Sequence, residues 1–185
     1  MALMQEAVME DVMLDLETLD TSPNAVVISL GAVFFSENKL GSTFYRVLDV
    51  DEQSARGRVV NPQTMEWWAK QSPAARKVFD ATGEPVLLVL QDFAEFLGDR
   101  NLKIWGNGAD FDNILVGSLY DMWGVKRPWS YGNNRCYRTL KNIVNRAPGD
   151  KLPDRLNVHH NALDDAVHQA ECAQHYMKGK LKWAS

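Results

Sequence analysis

The chain has 185 residues, 45% of them hydrophobic and 24% charged, a size and balance that suit one soluble core. Its formal net charge of -4 argues against a protein that coats nucleic acid through a broad basic surface, but leaves open a partner gripped through bound metal ions. Cys136 and Cys172 lack metal-ligand spacing, the start MALMQEAVMED lacks the basic and apolar regions of a signal peptide, and no segment is apolar enough to span a membrane, so a cytoplasmic protein with no membrane partner is expected.

In chain order, VMLDL (12–16) reads as a strand and DTSPN (20–24) as a turn. VVISLGAVFF (26–35) is an almost unbroken apolar run, expected of a strand buried on both faces. STFYRVLDV (42–50) alternates enough to be a partly exposed third strand, which completes a meander. Asn61 and Pro62 mark the start of a helix over NPQTMEWWAKQ, and Ser72-Pro73 the start of a second, short one. PVLLVLQDFAEFLG (85–98) is amphipathic at helical spacing. KIWG (103–106) reads as a short buried strand whose Gly-rich exit, GNGAD, leads into the helix FDNILVGSLYDMWG. VKRPWSYGNN reads as a loop and CYRTLKNIV as a helix. A final helix over 161–177 places Leu163, Ala166, Val167, Ala170 and Ala173 on one face. No interior linker divides residues 1–185, so one domain with a mixed sheet is expected.

Asp15 and Glu17 stand two apart on the first strand, so their side chains share a face. Such a pair is either a solvated edge or a buried pair that something positive must neutralise. Asp112 lies in the first turn of the helix after KIWG, where an aspartate also suits the helix dipole, and Asp110 reads as that helix's N-cap. The stretch HHNALDDA puts His159, His160, Asp164 and Asp165 within seven positions, and both aspartates could equally serve the last helix's dipole.

Taken in order, D-x-E on the first strand, F-D opening a helix after a Gly-rich exit, and H-x4-D on the final helix resemble the DEDDh class of 3'-to-5' exonucleases over nearly the whole chain. LDLETLDTSPNAVVISLGAVFF, WGNGADFD and HNALDDA are most similar to a branch of short bacterial and phage enzymes of the exonuclease VIII, DexA and RNase AS kinds. The resemblance implies an α/β, RNase H-like fold, a five-stranded mixed sheet in the order 3-2-1-4-5 flanked by α-helices. It implies Asp15, Glu17, Asp112 and Asp165 as ligands of two divalent cations, Mg²⁺ or Mn²⁺, with His160 as general base. The related DEDDy class carries Tyr four residues before the last Asp; Asn161 stands there, which selects the His version. The family often has Asn four residues before the F-D aspartate; here that position is Gly108, and Asn107 beside it becomes the candidate for substrate contact.

These residue types suit the chemistry. Converging carboxylates repel one another and raise each other's pKa unless cations neutralise them, and oxygen-only donors prefer hard ions. An imidazole, with an ordinary pKa of about 6.5, is suited to accept a proton from a water already acidified by metal.

By the same resemblance, Thr18 and Leu19 meet the terminal nucleotide through backbone groups and an apolar side chain. Trp67 and Trp68 are neighbours on a helix and point about 100° apart, so one can fill the core while the other stacks on a base; Trp68 is taken as the stacking candidate. Arg138 belongs to RPWSYGNNRCYRTLK (127–141), where Arg127, Arg135, Arg138 and Lys141 interleave with Trp129, Tyr131 and Tyr137. That mixture suits a single-stranded tail, or else a solvated basic helix face. Lys178, Lys180 and Lys182 read as a basic terminus.

The expected function is metal-dependent 3'-to-5' hydrolysis at single-stranded nucleic-acid 3' ends, releasing nucleoside 5'-monophosphates, with DNA slightly favoured. An exoribonuclease of the RNase AS or oligoribonuclease kind is the alternative, since sequence does not reveal contacts to the 2'-OH. A non-catalytic nucleic-acid-binding protein on a nuclease fold is the remote third. Family analogy adds a homodimer.

Overall fold

The computed structural model describes residues 9–144, 151–156 and 158–178. Lys180 and Lys182 lie outside the described residues. The sheet is β3-β2-β1-β4-β5: β1 is Asp11–Thr18, β2 Val27–Phe35, β3 Leu40–Val47, β4 Lys103–Gly106 and β5 Asn134–Cys136. β1, β2 and β3 pair antiparallel, whereas β4 and β5 add in parallel on the other side of β1. This is the five-stranded mixed sheet that the family resemblance implies.

Helices cover both faces. Val12, Leu14 and Leu16 of β1 and Leu30, Ala32 and Phe34 of β2 pack on α4 (Val86–Leu97) and α5 (Asp112–Met122). Met13, Val33 and Phe35 face the other way, onto Ala166, Ala170 and Ala173 of α7 (Ala162–Lys178). Every residue of β2 is buried, as its continuous apolar run requires.

The third strand ends at Val47, three residues earlier than its apolar pattern suggests. Asp49 instead caps α1 (Val50–Ala55), its carboxylate accepting from the Glu52 N–H at 2.9 Å. Helix α1 carries a fully buried Gln53, whose amide exchanges hydrogen bonds with both backbone groups of Val27 at 2.8 and 2.9 Å. A side chain thus supplies the pairing that a backbone neighbour would have made.

Asn61 caps α2 (Pro62–Ala69) through the Gln63 N–H, and Ser72 caps α3 (Pro73–Arg76) through Ala75 N–H, as the sequence indicates. β5 departs from expectation: the end of the presumed loop and the start of the presumed helix form a three-residue strand that leads into α6 (Tyr137–Val144). So short a strand carries no alternation of its own and exists because β4 offers it a parallel partner.

Candidate active site

Asp15 and Glu17 continue the Met13 side of β1 and therefore look toward α7. Their register partners on β2 are Gly31 and Ser29. Gly31 lets the start of α7 settle directly on the sheet: a Cβ there would stand 2.2 Å from both the Ala162 carbonyl carbon and the Leu163 nitrogen. The descent brings Gln169 within 2.8 Å of Asp15, its amide N–H donating to Asp15 Oδ1.

Asp112 is delivered by α5. Its helix begins against the end of β4 because Gly106 has no side chain; a Cβ would come within 2.4 Å of Asn113 Oδ1 and 2.9 Å of Asp112 Cβ. Asn113 secures the junction by donating to the Ile104 carbonyl at 2.9 Å. Asp110 is not the helix cap. Phe111 holds that position without a side-chain bond, and the Gly108 carbonyl takes the Phe111 and Asp112 N–H groups at 2.8 and 3.1 Å. Gly108, with φ +123°, makes this turn in a backbone region that suits glycine.

Asp165 and His160 come from the start of α7, where Asn161 is the cap. Its Oδ1 accepts from the N–H groups of Leu163 and Asp164, each at 3.1 Å. Asp164 does not serve the helix dipole alone: its carboxylate accepts from Val158 N–H at 3.1 Å and ties down the preceding segment. His160 has φ +61°, a costly conformation for a residue with a side chain. Its N–H donates to Asp165 Oδ2 at 3.0 Å, and its ring lies edge-on to Trp67 with centroids 4.7 Å apart. His159 is exposed beside it.

Asp15, Glu17, Asp112, His160, Asp165 and Gln169 line one cavity of about 360 Å³, together with Asn107, Arg138 and Arg155. Burial first, then the charges of Asp112, Glu17 and Asp165, hold the Asp15 carboxyl well above the usual range, against the opposing Gln169 bond. Burial, then Asp165 and Asp112, pushes Glu17 up to about 8. Asp112 rises to about 7 through burial, although backbone amides and the Arg138 guanidinium oppose it. Burial lowers His160 below its ordinary value.

The donor set fits hard divalent cations. Glu17, His160 and Asp165 each offer a ligand atom within 4.8 Å of the others, and the Gln169 carbonyl oxygen is buried beside Asp15 with no hydrogen-bond partner. The carboxyl groups that repel one another here are the groups a divalent ion would neutralise.

A second cavity of about 450 Å³ adjoins the first through Leu16, Glu17 and Phe111. Thr18 lines it, and its carbonyl accepts the Trp68 indole N–H at 2.9 Å. Two expectations are corrected here. Leu19 is 3% exposed, packs with Val26, Ile28 and Trp68, and lines neither cavity. Trp68 is 1% exposed and serves the core, while its neighbour Trp67 is 42% exposed at the cavity wall. The amphipathic arc decides which indole turns inward, and the sequence alone does not say where the core lies.

Arg138 lines the first cavity and donates to the Asn107 carbonyl at 2.6 Å. Around it, Trp129 and Tyr137 are core residues and Tyr131 is widely exposed, so two of the three aromatics in this stretch are structural. Gln169 and Arg155 were not singled out in the sequence. Gln169 stands one helical turn after Asp165, a signal that could have found it; Arg155 gives none.

Residues 10–177 match the model of the family described as 3'-5' exoribonuclease Rv2179c-like domain. The exodeoxyribonuclease of Enterobacteria phage T4 is 30% identical over 130 residues, 62% of this chain and 57% of that protein, so the chain spans little more than half of that relative. Solved structures similar to this chain include three nucleases or metal-bound relatives. The nuclease domain of 3'hExo, a DEDDh family member bound to rAMP, has TM-score 0.61 at 12% identity, with 95% of each chain covered. Exonuclease X in complex with 5' overhanging duplex DNA has TM-score 0.58 at 17% identity, with 92% of each covered. S. pombe Pop2p, in its Mg²⁺- and Mn²⁺-bound form, has TM-score 0.59 at 16% identity, covering 94% of this chain and 86% of that one. At these identities the likeness is one of fold.

Proposed function

The chain belongs to the family of 3'-5' exoribonuclease Rv2179c-like domains, and from that membership we propose that it is a DEDDh-type exonuclease that shortens single-stranded nucleic acid from the 3' end, releasing nucleoside 5'-monophosphates. The observation that carries this reading is the convergence of Asp15, Glu17, Asp112, Asp165 and His160, from three separate parts of the chain, on one cavity.

Asp15, Glu17, Asp112 and Asp165 would hold two divalent cations, Mg²⁺ or Mn²⁺. When bound, such ions neutralise the carboxylates, acidify a water and stabilise both oxygens of an in-line displacement at phosphorus. The protein's own part is positional and acid-base. Gln169 fixes the rotamer of Asp15 by its 2.8 Å hydrogen bond. His160, which burial holds below its ordinary value, would take the proton of the attacking water at a ring nitrogen. Phe111 and Leu16 form the apolar wall between the two cavities, and Trp67 and Gln63 line the second, which has room for the terminal base. Arg138, which donates to the Asn107 carbonyl, supplies positive charge at the cavity wall.

DNA is the favoured strand, supported by the likeness to a phage exodeoxyribonuclease. The family's description as an exoribonuclease supports RNA as the second reading. One assay tests both: 5'-labelled single-stranded DNA, single-stranded RNA and duplex with Mg²⁺ or Mn²⁺, beside Asp15→Ala and His160→Ala. A ladder shortening from the 3' end that requires metal and both residues supports the proposal. Undiminished activity in Asp15→Ala would sink it, and the preferred strand decides between DNA and RNA.

A further inference from the structure

Arg155 lies in an irregular stretch, residues 151–156, shortly before His160. Its guanidinium pairs with Asp165 Oδ1, while the other Asp165 oxygen accepts the His160 N–H. Both oxygens of one candidate metal ligand are therefore engaged. Among the described residues, this is the only ion pair made by any of the four cavity carboxylates.

The pair is shielded, with side chains 17% and 12% exposed, so solvent and salt weaken it little. A guanidinium does not give up its proton in a protein, so Arg155 cannot vacate Asp165 by becoming neutral. It can only be displaced. A divalent cation that takes Asp165 removes the arginine's partner and also repels it. The segment allows the move: Leu152 packs beside α7 and anchors one end, whereas Leu156, next to Arg155, is 92% exposed. Arg155 remains within the cavity, where a strand's phosphate would bring new negative charge, and a planar fork of N–H groups matches a phosphate's oxygens.

We propose that Arg155 is an exchangeable counter-ion: it holds Asp165 in the metal-free protein, yields that carboxylate to the divalent cation, and then positions a phosphate of the strand. The proposal rests on the exonuclease reading above.

Isothermal calorimetry of Mn²⁺ binding to metal-stripped protein, without nucleic acid, separates the two. Arg155→Gln is expected to bind Mn²⁺ about tenfold more tightly than wild type, equivalent to about 1.4 kcal/mol. Arg138→Gln, which removes a nearby charge that makes no ion pair among the described residues, is expected to shift far less. Arg155→Lys keeps the charge and stays near wild type. In the nuclease assay Arg155→Gln and Arg155→Lys both raise KM for the strand, the lysine variant because it lacks the fork. Unchanged or weaker Mn²⁺ binding by Arg155→Gln, or an equal gain in Arg138→Gln, overturns the counter-ion role. Unchanged KM in both Arg155 variants overturns the phosphate role. Wild-type protein that binds no Mn²⁺ overturns the exonuclease reading itself, and the proposal with it.

Discussion

Gly31→Ala is the most direct probe of how the site is assembled. The added methyl group would stand 2.2 Å from the α7 backbone, where ordinary contact begins at 3.4 Å. The obstacle is peptide backbone on both sides, so no side chain can swing aside. The start of α7 must retreat by about 1 Å, carrying Asp165 with it, and overpacking of this kind costs about 1–3 kcal/mol. For a chain of this length each kcal/mol corresponds to a fall of about 2–4 °C in melting temperature. The effect on catalysis should be larger, because a 1 Å misplacement of a catalytic constellation can cost about 10²-fold in rate. Thermal denaturation and single-turnover cleavage of a labelled strand measure the two effects on one preparation. Gly31→Ala with wild-type turnover, at whatever stability, would refute the claim that direct contact between α7 and β2 sets the carboxylate geometry.

Further outcomes follow from the same site. With metal chelated, stability should fall as pH rises from about 4 to about 8: Glu17 and Asp112, raised in the fold from 4.5 to about 8 and from 3.8 to about 7, hold protons that the unfolded chain has already released. Urea melts at pH 5 and pH 8 check this, and saturating Mg²⁺ should flatten the dependence. His160→Ala should lower kcat by about 10²–10⁴-fold, the usual worth of a general base, while His159→Ala leaves it near wild type; a reversed order would shift the assignment by one residue. In an Asp15→Asn background, Trp67→Ala should weaken strand binding by about 1–3 kcal/mol, read by fluorescence anisotropy. Trp68→Ala should instead cost about 3–5 kcal/mol of folding stability.

Much of this architecture was legible because physical patterns repeat along the chain. The β2 run is apolar throughout because both faces are covered, and Asn61-Pro62 announces α2 through its capping chemistry. The end of β3 was not legible, since Leu48 and Val50 continue its apolar run while Asp49 turns the chain into α1. β5 is too short to show a period and owes its existence to β4. In the site, the family resemblance names the acidic candidates, whereas Leu19, named by the same resemblance, and Trp68 both turn into the core, a direction that neither resemblance nor helical spacing reveals. Arg155 was invisible for a related reason: its partner, Asp165, is met only through the path of the segment between them.

The bond between Gln169 and Asp15 joins residues 154 positions apart. Proteins are made from the N-terminus, so a ribosome-bound chain can display β1 and its acidic pair long before α7 emerges. During that interval the candidate site lacks His160, Asp165 and Gln169. If the chain acts as proposed, cleavage therefore waits until α7 has been made and has docked on the sheet. On that reading, activity would report that α7 has been made and has closed over Met13, Val33 and Phe35.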